Sequence, residues 1–222
     1  AIGRDVPFAD LVRDFAAVII AVGAKSSRAL NLPGERGPRV YGGVDLLRAV
    51  ALDEPLDIGR EVVVIGGGNV AYDVARTVVR RIAHDTARAA AHLPGTTHVH
   101  LVSLEGLEDL PADTSEIKEG LEEGVVGHHG WGPVAIERDA DGHVTAVTFR
   151  KCLSAYDAER KFAPRYDDSQ QQSVSCDTVL LAIGQAPKLD FLEGGDSGIT
   201  FARPGWPQVD EHLATTAAGV FV

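Results

Sequence analysis

The sequence predicts an α/β fold, and three kinds of segment lead to this prediction. Hydrophobic runs of strand length, rich in Val, Ile and Leu, occupy residues 62–65 and 178–183. Because neither run alternates polar and apolar residues, each is typical of a parallel strand buried on both faces. Apolar residues at helix spacing follow the first run, in residues 70–78. Residues 132–150 instead contain two alternating runs around an Asp-Gly turn, which predicts an antiparallel hairpin.

The other elements follow in chain order from periodicity and from turn residues. We predict helices over residues 5–15, 45–52 and 114–123, and one from residue 69 to about residue 82 with an Ala- and His-rich extension to 96. We predict strands over residues 16–24, 61–65, 98–103, 132–138, 143–150 and 176–185. Residues 25–43 are predicted to be a loop, because they contain Pro and Gly pairs. Residues 153–173 are polar and are predicted to be a loop or a long excursion of the chain.

Charge and cysteine usage exclude several classes of protein. The chain has 222 residues and a formal net charge of −11, which repels nucleic acid and anionic membranes. No apolar run approaches the roughly 20 residues that span a membrane. The two cysteines, Cys152 and Cys176, lack C-x-x-C spacing, and no metal site is predicted. We therefore expect a cytoplasmic protein with no nucleic-acid or membrane partner.

Three glycines at the end of the first hydrophobic run form the most informative motif. Gly66, Gly68 and Ala71 make the pattern G-x-G-x-x-A between a strand and a helix. Gly66 suits a tight turn, Gly68 lets the backbone approach a pyrophosphate, and Ala71 lets the helix pack closely on the strand. The motif predicts a Rossmann-type three-layer βαβ domain that binds a dinucleotide at the helix N-terminus. The alternative is a turn that only packs a helix on a strand. We expect the pyrophosphate contacts at Gly66, Gly67, Gly68, Asn69 and Val70.

The end of the next predicted strand bears on the choice of nucleotide. An acidic residue at this place hydrogen-bonds the adenosine ribose, whereas an arginine accepts a 2′-phosphate. Glu105 therefore favours NAD over NADP, and we expect Ser103 and Leu104 to line the same subsite. The spacing from the glycine motif exceeds the usual ~20 residues. Glu108 and Asp109 also lie close by, so either of them could face the ribose instead of Glu105. A further alternative is a solvated acidic loop after the strand.

Two glycine-ended runs of similar pattern, residues 17–24 and 178–185, bracket the glycine motif. We interpret them as the places where the chain leaves and re-enters a neighbouring domain. Further segments match a known family in the same order: residues 20–24, 32–35, 44–47, 64–71, 101–105, 110–112, 152–168 and 181–185. With these segments the sequence resembles the pyridine nucleotide-disulfide oxidoreductase-like flavoproteins. More narrowly, it resembles the small subunit of glutamate synthase and related NAD(P)H-dependent FAD oxidoreductases.

The resemblance implies an NAD(P)-binding domain, with an antiparallel β-meander, inserted in a partial FAD-binding domain. Residues 1–57 would be a flanking segment and linker, residues 58–185 the NAD(P)-binding domain, and residues 186–222 a truncated return segment. Gly184 and Gln185 would lie near the nicotinamide. The glutamate synthase subunit carries an arginine pair where this sequence has Leu104 and Glu105, which again favours NAD.

The resemblance also implies an enzyme that passes hydride between nicotinamide and flavin, with no catalytic acid, base or nucleophile. It would exchange electrons with a partner subunit. FAD would belong to the full-length parent protein, because only one G-x-G-x-x-G/A motif is found here and the chain begins and ends like a piece of a longer polypeptide. Two other functions stay open: a non-catalytic nucleotide-binding or docking module, and a structural domain whose glycine turn binds nothing.

Overall fold

The computed structural model describes residues 1–88, 98–192 and 197–222, and it divides into two compact units. The larger unit contains residues 27–184, and the smaller unit combines residues 1–26 with residues 185–222. The predicted boundary between residues 57 and 58 therefore lies inside the larger unit. The predicted extension of the long helix falls partly on residues 89–97, outside the described residues.

Four α-helices, fourteen strands and two short 3₁₀-helices, Leu107–Asp109 and Asp190–Leu192, form the described elements. The helices are α1 (Phe8–Asp14), α2 (Gly43–Ala51), α3 (Asn69–Arg88) and α4 (Thr114–Glu122). The first seven strands are β1 (Val18–Ile19), β2 (Ser26–Ser27), β3 (Val40–Gly42), β4 (Glu61–Ile65), β5 (His98–Ser103), β6 (Val125–His129) and β7 (Trp131–Arg138). The others are β8 (Val144–Tyr156), β9 (Phe162–Ser175), β10 (Thr178–Leu181), β11 (Gln185–Ala186), β12 (Phe201–Arg203), β13 (Trp206–Pro207) and β14 (Val220–Phe221).

A five-stranded parallel sheet in the order β3-β10-β4-β5-β6 is the centre of the larger unit. Val179 of β10 lies opposite Val63 of β4 on one side and opposite Val40 of β3 on the other. The predicted α/β class with a parallel sheet is thus confirmed. The loop prediction for residues 25–43 is wrong at β3, because this short strand gains its order from pairing with β10. The same pairing places β3 and the following α2 in the larger unit.

Alternate residues of β4 face two different hydrophobic layers. Val62 and Val64 are fully buried under α2, α3 and α4 in a core that includes Val74. Val63 and Ile65 point to the opposite face, where the core is shared with strands β7, β8 and β9. Burial on both faces explains the unbroken run of β-branched residues in β4. The three predicted layers are therefore helices, parallel sheet and meander.

An arginine on α3 joins this helix to α4 by ion pairs. Arg76 Nη1 lies 2.7 Å from Glu116 Oε2, and Arg76 Nε lies 2.9 Å from Glu123 Oε1. Its remaining amino group pairs with Glu119. The hydrogen bond to Glu123 is the main reason why the pKa of Arg76 is raised. These three ion pairs extend from the first turn of α4 to the residue after its last turn and hold α4 against α3.

The antiparallel strands of the larger unit form a three-stranded meander in the order β7-β8-β9. The predicted Asp-Gly hairpin is confirmed, but the loop prediction for residues 153–173 is wrong. β8 runs on to Tyr156, and Phe162 opposite it begins β9. Most residues of β9 are exposed or half-buried, so its composition is polar although its backbone pairs along β8. Because β9 pairs with β8 alone and has mostly exposed residues, its polar composition resembles that of a loop.

The smaller unit has its own hydrophobic core, formed by Phe8, Ile20, Leu189, Leu192 and Val220. Its two-stranded parallel sheet pairs β1 with β14. The predicted strand over residues 16–24 is reduced to β1. Within the described helices, none is both long enough and apolar enough to cross a membrane.

Both cysteines are free thiols and are buried, with exposed fractions of 6% for Cys152 and 4% for Cys176. Burial raises the pKa of Cys152, and burial raises the pKa of Cys176 to about 12. Because the thiolate is the reactive form, we expect neither thiol to react with an aromatic disulfide reagent at pH 8 in the folded protein. After denaturation in urea, both thiols should react. Rapid reaction of one thiol in the folded protein would contradict the buried positions.

Candidate functional site

The glycine turn after β4 lies at the sheet edge where the carboxyl ends of β4, β5 and β10 meet. Gly66 N donates to the carbonyl oxygen of Val102 at 2.9 Å, and Ala182 N donates to the carbonyl oxygen of Ile65 at 2.8 Å. The turn is therefore held from the strand on each side. In open α/β sheets, ligands bind outside this edge of the strands.

Gly66 is required by the turn itself. Its φ of +152° is rarely adopted by residues with a side chain. A β-carbon at Gly66 would also lie 2.9 Å from the carbonyl carbon of Ala182 and 3.1 Å from Ala71 Cβ. The small residue at position 71 thus belongs to the same close packing of helix on strand that the motif predicts.

Gly68 differs from its neighbours because a β-carbon there would meet no atom within 4 Å. At Gly67 a β-carbon would instead lie 2.9 Å from Glu105 Oε2. α3 begins directly after Gly68, and its first N–H groups have no intrahelical acceptors. The dipole of α3 adds partial positive charge at the same place. The open face of Gly68 therefore gives an anion a direct approach to a helix N-terminus.

The side chains of Asn69 and Val70 both contact other residues of the protein. Asn69 Nδ2 donates to Asp113 Oδ2 at 2.7 Å, and Asp113 N donates to Asn69 Oδ1 at 2.7 Å. Asp113 is the residue before α4, so these two bonds join the starts of α3 and α4. Val70 packs against the core under the helices. Val70 can therefore offer a ligand only its backbone N–H, whereas the exposed side chain of Asn69 has a second Nδ2 hydrogen to donate.

Ser103 ends β5 and is fully buried. Its hydroxyl donates to the carbonyl oxygen of Glu105 at 3.0 Å and lies 2.7 Å from His129 Nδ1. Because the hydroxyl proton is used toward Glu105, His129 Nδ1 is the donor to Ser103 Oγ. Burial lowers the pKa of His129, and the charge of His128 lowers it further. Ser103 thus holds the loop that carries Glu105 and has no open face for a ligand.

Residues 104–109, which we name the Glu105 loop, continue from β5 along the sheet edge. Gly130 N donates to the carbonyl oxygen of Glu105 at 2.8 Å, which fixes the backbone of the loop. The Glu105 carboxylate has one oxygen beside Gly67, and its other oxygen, Oε1, accepts from Tyr156 Oη at 3.3 Å. The structure therefore brings the predicted acidic residue next to the glycine turn. Leu104 is half-buried beside it.

A cavity of about 690 Å³ opens beside the Glu105 loop. One wall is the loop, and the other is the end of the β8–β9 hairpin. Charged and polar side chains from both walls line it: Glu105, Asp109, His129, Lys151, Tyr156 and Arg160. The last four were not predicted as site residues. Tyr156 and Arg160 have one sequence signal, the match of residues 152–168 to one branch of the family, and this match carries no role. His129 and Lys151 lie outside that segment and have no such signal.

Gly184 and Gln185, predicted near the nicotinamide, fall on the two sides of the unit boundary. Gly184 follows β10 with a φ of +108°, and its carbonyl oxygen accepts from Arg28 N at 3.2 Å. It lies at the same sheet edge as the glycine turn. Gln185 belongs to β11 and to the smaller unit. The predicted role of both residues stays a prediction.

Comparison with known proteins identifies relatives of this chain. The chain is 34% identical over 226 residues to the NADP(+)-dependent formate dehydrogenase subunit beta of Moorella thermoacetica, an alignment that covers 99% of this chain and 29% of that protein. It is 30% identical over 198 residues to the glutamate synthase [NADPH] small chain of Escherichia coli, covering 84% of this chain and 39% of that one. Among solved structures, the Mycobacterium tuberculosis oxidoreductase FprA has a TM-score of 0.76 at 20% identity, over 100% of this chain and 60% of that chain.

The chain corresponds to only part of each of these relatives, and it matches one protein family over most of its own length. It spans 29% and 39% of the lengths of the two relatives, and the likeness to FprA shows a common fold. The model of one family, pyridine nucleotide-disulphide oxidoreductase, matches residues 11–222. This match covers nearly the whole sequence, and it confirms the resemblance that the glycine motif and its flanking segments predict. The chain belongs to the pyridine nucleotide-disulphide oxidoreductase family.

Proposed function

We propose that this chain is the nicotinamide dinucleotide-binding part of an FAD-dependent oxidoreductase. The observation that carries the proposal is the open face of Gly68 at the start of α3, with no atom within 4 Å of a β-carbon. A pyrophosphate fits this place because its charge and its oxygens match the free N–H groups and the helix dipole. Residues 67–70 would then contribute backbone N–H contacts. Gly66 would not, because its N–H already donates to the carbonyl oxygen of Val102, and its role would be to set the direction of the turn.

The hydride chemistry of such an enzyme is supplied by nicotinamide and flavin when both are bound. The residues of this chain would bind and orient the dinucleotide. The glycine turn would hold its pyrophosphate, and Gly184 at the same sheet edge would flank its nicotinamide end. A single dinucleotide motif is present, so we assign FAD to the wider protein. The two relatives are named as a subunit and a small chain, which supports a protein that exchanges electrons with a partner subunit.

We propose NAD as the preferred nucleotide, and Glu105 carries this preference. A carboxylate beside Gly67 can accept hydrogen bonds from the ribose hydroxyls, and it repels a 2′-phosphate. Glu105 Oε2 has this position. The names of both relatives contain NADP(+) or NADPH, so the preference for NAD rests on Glu105 alone.

Titration of the purified protein with NADH and NADPH tests both parts of the proposal. We expect NADH to bind at least about tenfold more tightly than NADPH, a difference of ~1.4 kcal/mol. Glu105→Gln should weaken NADH binding by about tenfold, because hydrogen bonds to a charged group contribute ~1.5–3 kcal/mol. Glu108→Gln is the matched control, since Glu108 is an exposed carboxylate of the same loop. Tighter binding of NADPH by the wild-type protein would contradict the role of Glu105, and failure of both nucleotides would contradict the binding site.

The non-catalytic alternative, a docking module that binds nucleotide without turnover, gives a different result. A protein that binds NADH but stays colourless and transfers no hydride supports the module. A yellow protein that NADH bleaches supports the reductase.

A further inference from the structure

The end of the β8–β9 hairpin extends over the cavity beside the Glu105 loop. Beyond Lys151 the pairing of β8 with β9 shifts register twice, at Ser154 and again at Tyr156. Such irregularities bend a strand and re-aim its side chains. Both the β8 arm, residues 151–156, and the turn residue Arg160 line the cavity opposite Glu105. The hairpin end is therefore a second wall of the place where an adenosine ribose would meet Glu105.

Tyr156 is fixed on this wall by three contacts. Ser154 Oγ donates to the carbonyl oxygen of Tyr156. The ring of Phe162 stands edge-on to the Tyr156 ring, with a centroid distance of 6.0 Å and an interplanar angle of 77°. The Tyr156 hydroxyl donates to Glu105 Oε1 at 3.3 Å. Burial, and next the charge of Glu105, raises the pKa of Tyr156, so the phenol remains a donor at neutral pH.

The contact with Tyr156 gives the two oxygens of the Glu105 carboxylate different surroundings. Oε1 faces the hydroxyl of Tyr156, whereas Oε2 faces the glycine turn at Gly67. A glutamate side chain without such a partner can rotate among several staggered positions. Rotation away from Gly67 would remove the acceptor from the ribose hydroxyls and would also remove the charge that repels a 2′-phosphate.

We propose that Tyr156 is a positioning residue that orients Glu105, and that it thereby sets the selectivity of the site for an adenosine ribose with a free 2′-hydroxyl. This inference rests on the proposed function, because Glu105 must meet the ribose. It assigns to the extended hairpin a role in choosing the nucleotide. The selectivity then depends on two segments that are 51 residues apart in the sequence.

The test compares Tyr156→Phe with the wild-type protein by titration with NADH and with NADPH. Removal of one hydroxyl should weaken NADH binding about fivefold and leave NADPH binding equal or stronger, because one hydrogen bond to a charged acceptor is lost. The ratio of the dissociation constant for NADPH to that for NADH should therefore fall by at least about fivefold, or ~1 kcal/mol. Tyr166→Phe is the matched control, since Tyr166 lies on β9 under the Arg150 guanidinium and does not line the cavity. It should leave the ratio unchanged.

A second measurement needs no nucleotide. With ¹³C-labelled tyrosine, the titration of Tyr156 is followed by NMR in the wild-type protein and in Glu105→Gln. Loss of the Glu105 charge should lower the pKa of Tyr156, and an unchanged pKa would overturn the contact. If Glu105→Gln loses selectivity for NADH while Tyr156→Phe keeps it, the positioning role is overturned and the proposed function stands. If the wild-type protein binds neither nucleotide while the pKa shift is observed, the proposed function fails and the role of Tyr156 in selectivity fails with it.

Discussion

Gly68→Ala is expected to abolish most of the affinity for a nicotinamide dinucleotide while the protein stays folded. The added methyl group would point into the open space before α3, where a pyrophosphate would approach the backbone. It would separate the phosphate oxygens from several N–H donors at once, and each hydrogen bond to a charged group contributes ~1.5–3 kcal/mol. We therefore expect the dissociation constant for NADH to rise about a hundredfold, or ~2.7 kcal/mol. Isothermal titration calorimetry with NADH measures this dissociation constant for both proteins.

The stability of Gly68→Ala, compared with that of the wild-type protein, shows whether a loss of affinity is caused by unfolding. Because no protein atom lies within 4 Å of the new β-carbon, the only expected cost is the change of residue at the helix N-cap, below about 1 kcal/mol. The circular dichroism spectrum should be unchanged. An affinity equal to that of the wild-type protein would show that no phosphate contacts the backbone at Gly68.

Gly66→Ala is expected to have the opposite result, a large loss of stability. Its φ of +152° and the nearby carbonyl group of Ala182 act against any side chain. Backbone strain of ~1–3 kcal/mol adds to overpacking of ~1–3 kcal/mol, so we expect a free energy of unfolding lower by about 4 kcal/mol. For a chain of this size that lowers the melting temperature by roughly 10 °C.

Gly142→Ala separates the two causes. Gly142 has a φ of +84° in the turn between β7 and β8, but no atom lies within 4 Å of its β-carbon position. This variant should lose only the strain, about 1 kcal/mol. Equal losses for both variants would show that the close packing against Ala182 has no energetic effect.

The confirmed elements are those in which the local sequence pattern matches the burial of the residues in the folded protein. β4, β10 and the start of α3 combine runs of β-branched residues, glycines and helix spacing, and each is buried as its pattern requires. β3 and β6 were missed because three to five residues with Tyr, Gly or His carry little propensity of their own. Pairing with β10 and β5 gives these short strands their order, and pairing between distant segments is absent from a local pattern.

The site divides in the same way. The glycine turn was predicted because a motif with fixed spacing encodes backbone geometry, and Glu105 was predicted because it follows the next strand. The inward hydroxyl of Ser103 was not, since its partner His129 lies 26 residues away. Tyr156 was not, because polar composition hides the strands that carry it. Side-chain contacts across the fold depend on strand register, which composition does not report.

The central place of β10 in the parallel sheet has a consequence for how the chain folds. β10 separates β3 from β4, yet it follows the whole meander in sequence. Until residue 181 has been synthesised and docked, the facing edges of β3 and β4 have no partner strand. Such open edges are templates for wrong pairing, and contacts between distant residues form slowly. The last strand of the larger unit is thus the one that closes it, so an incomplete chain passes through an aggregation-prone stage.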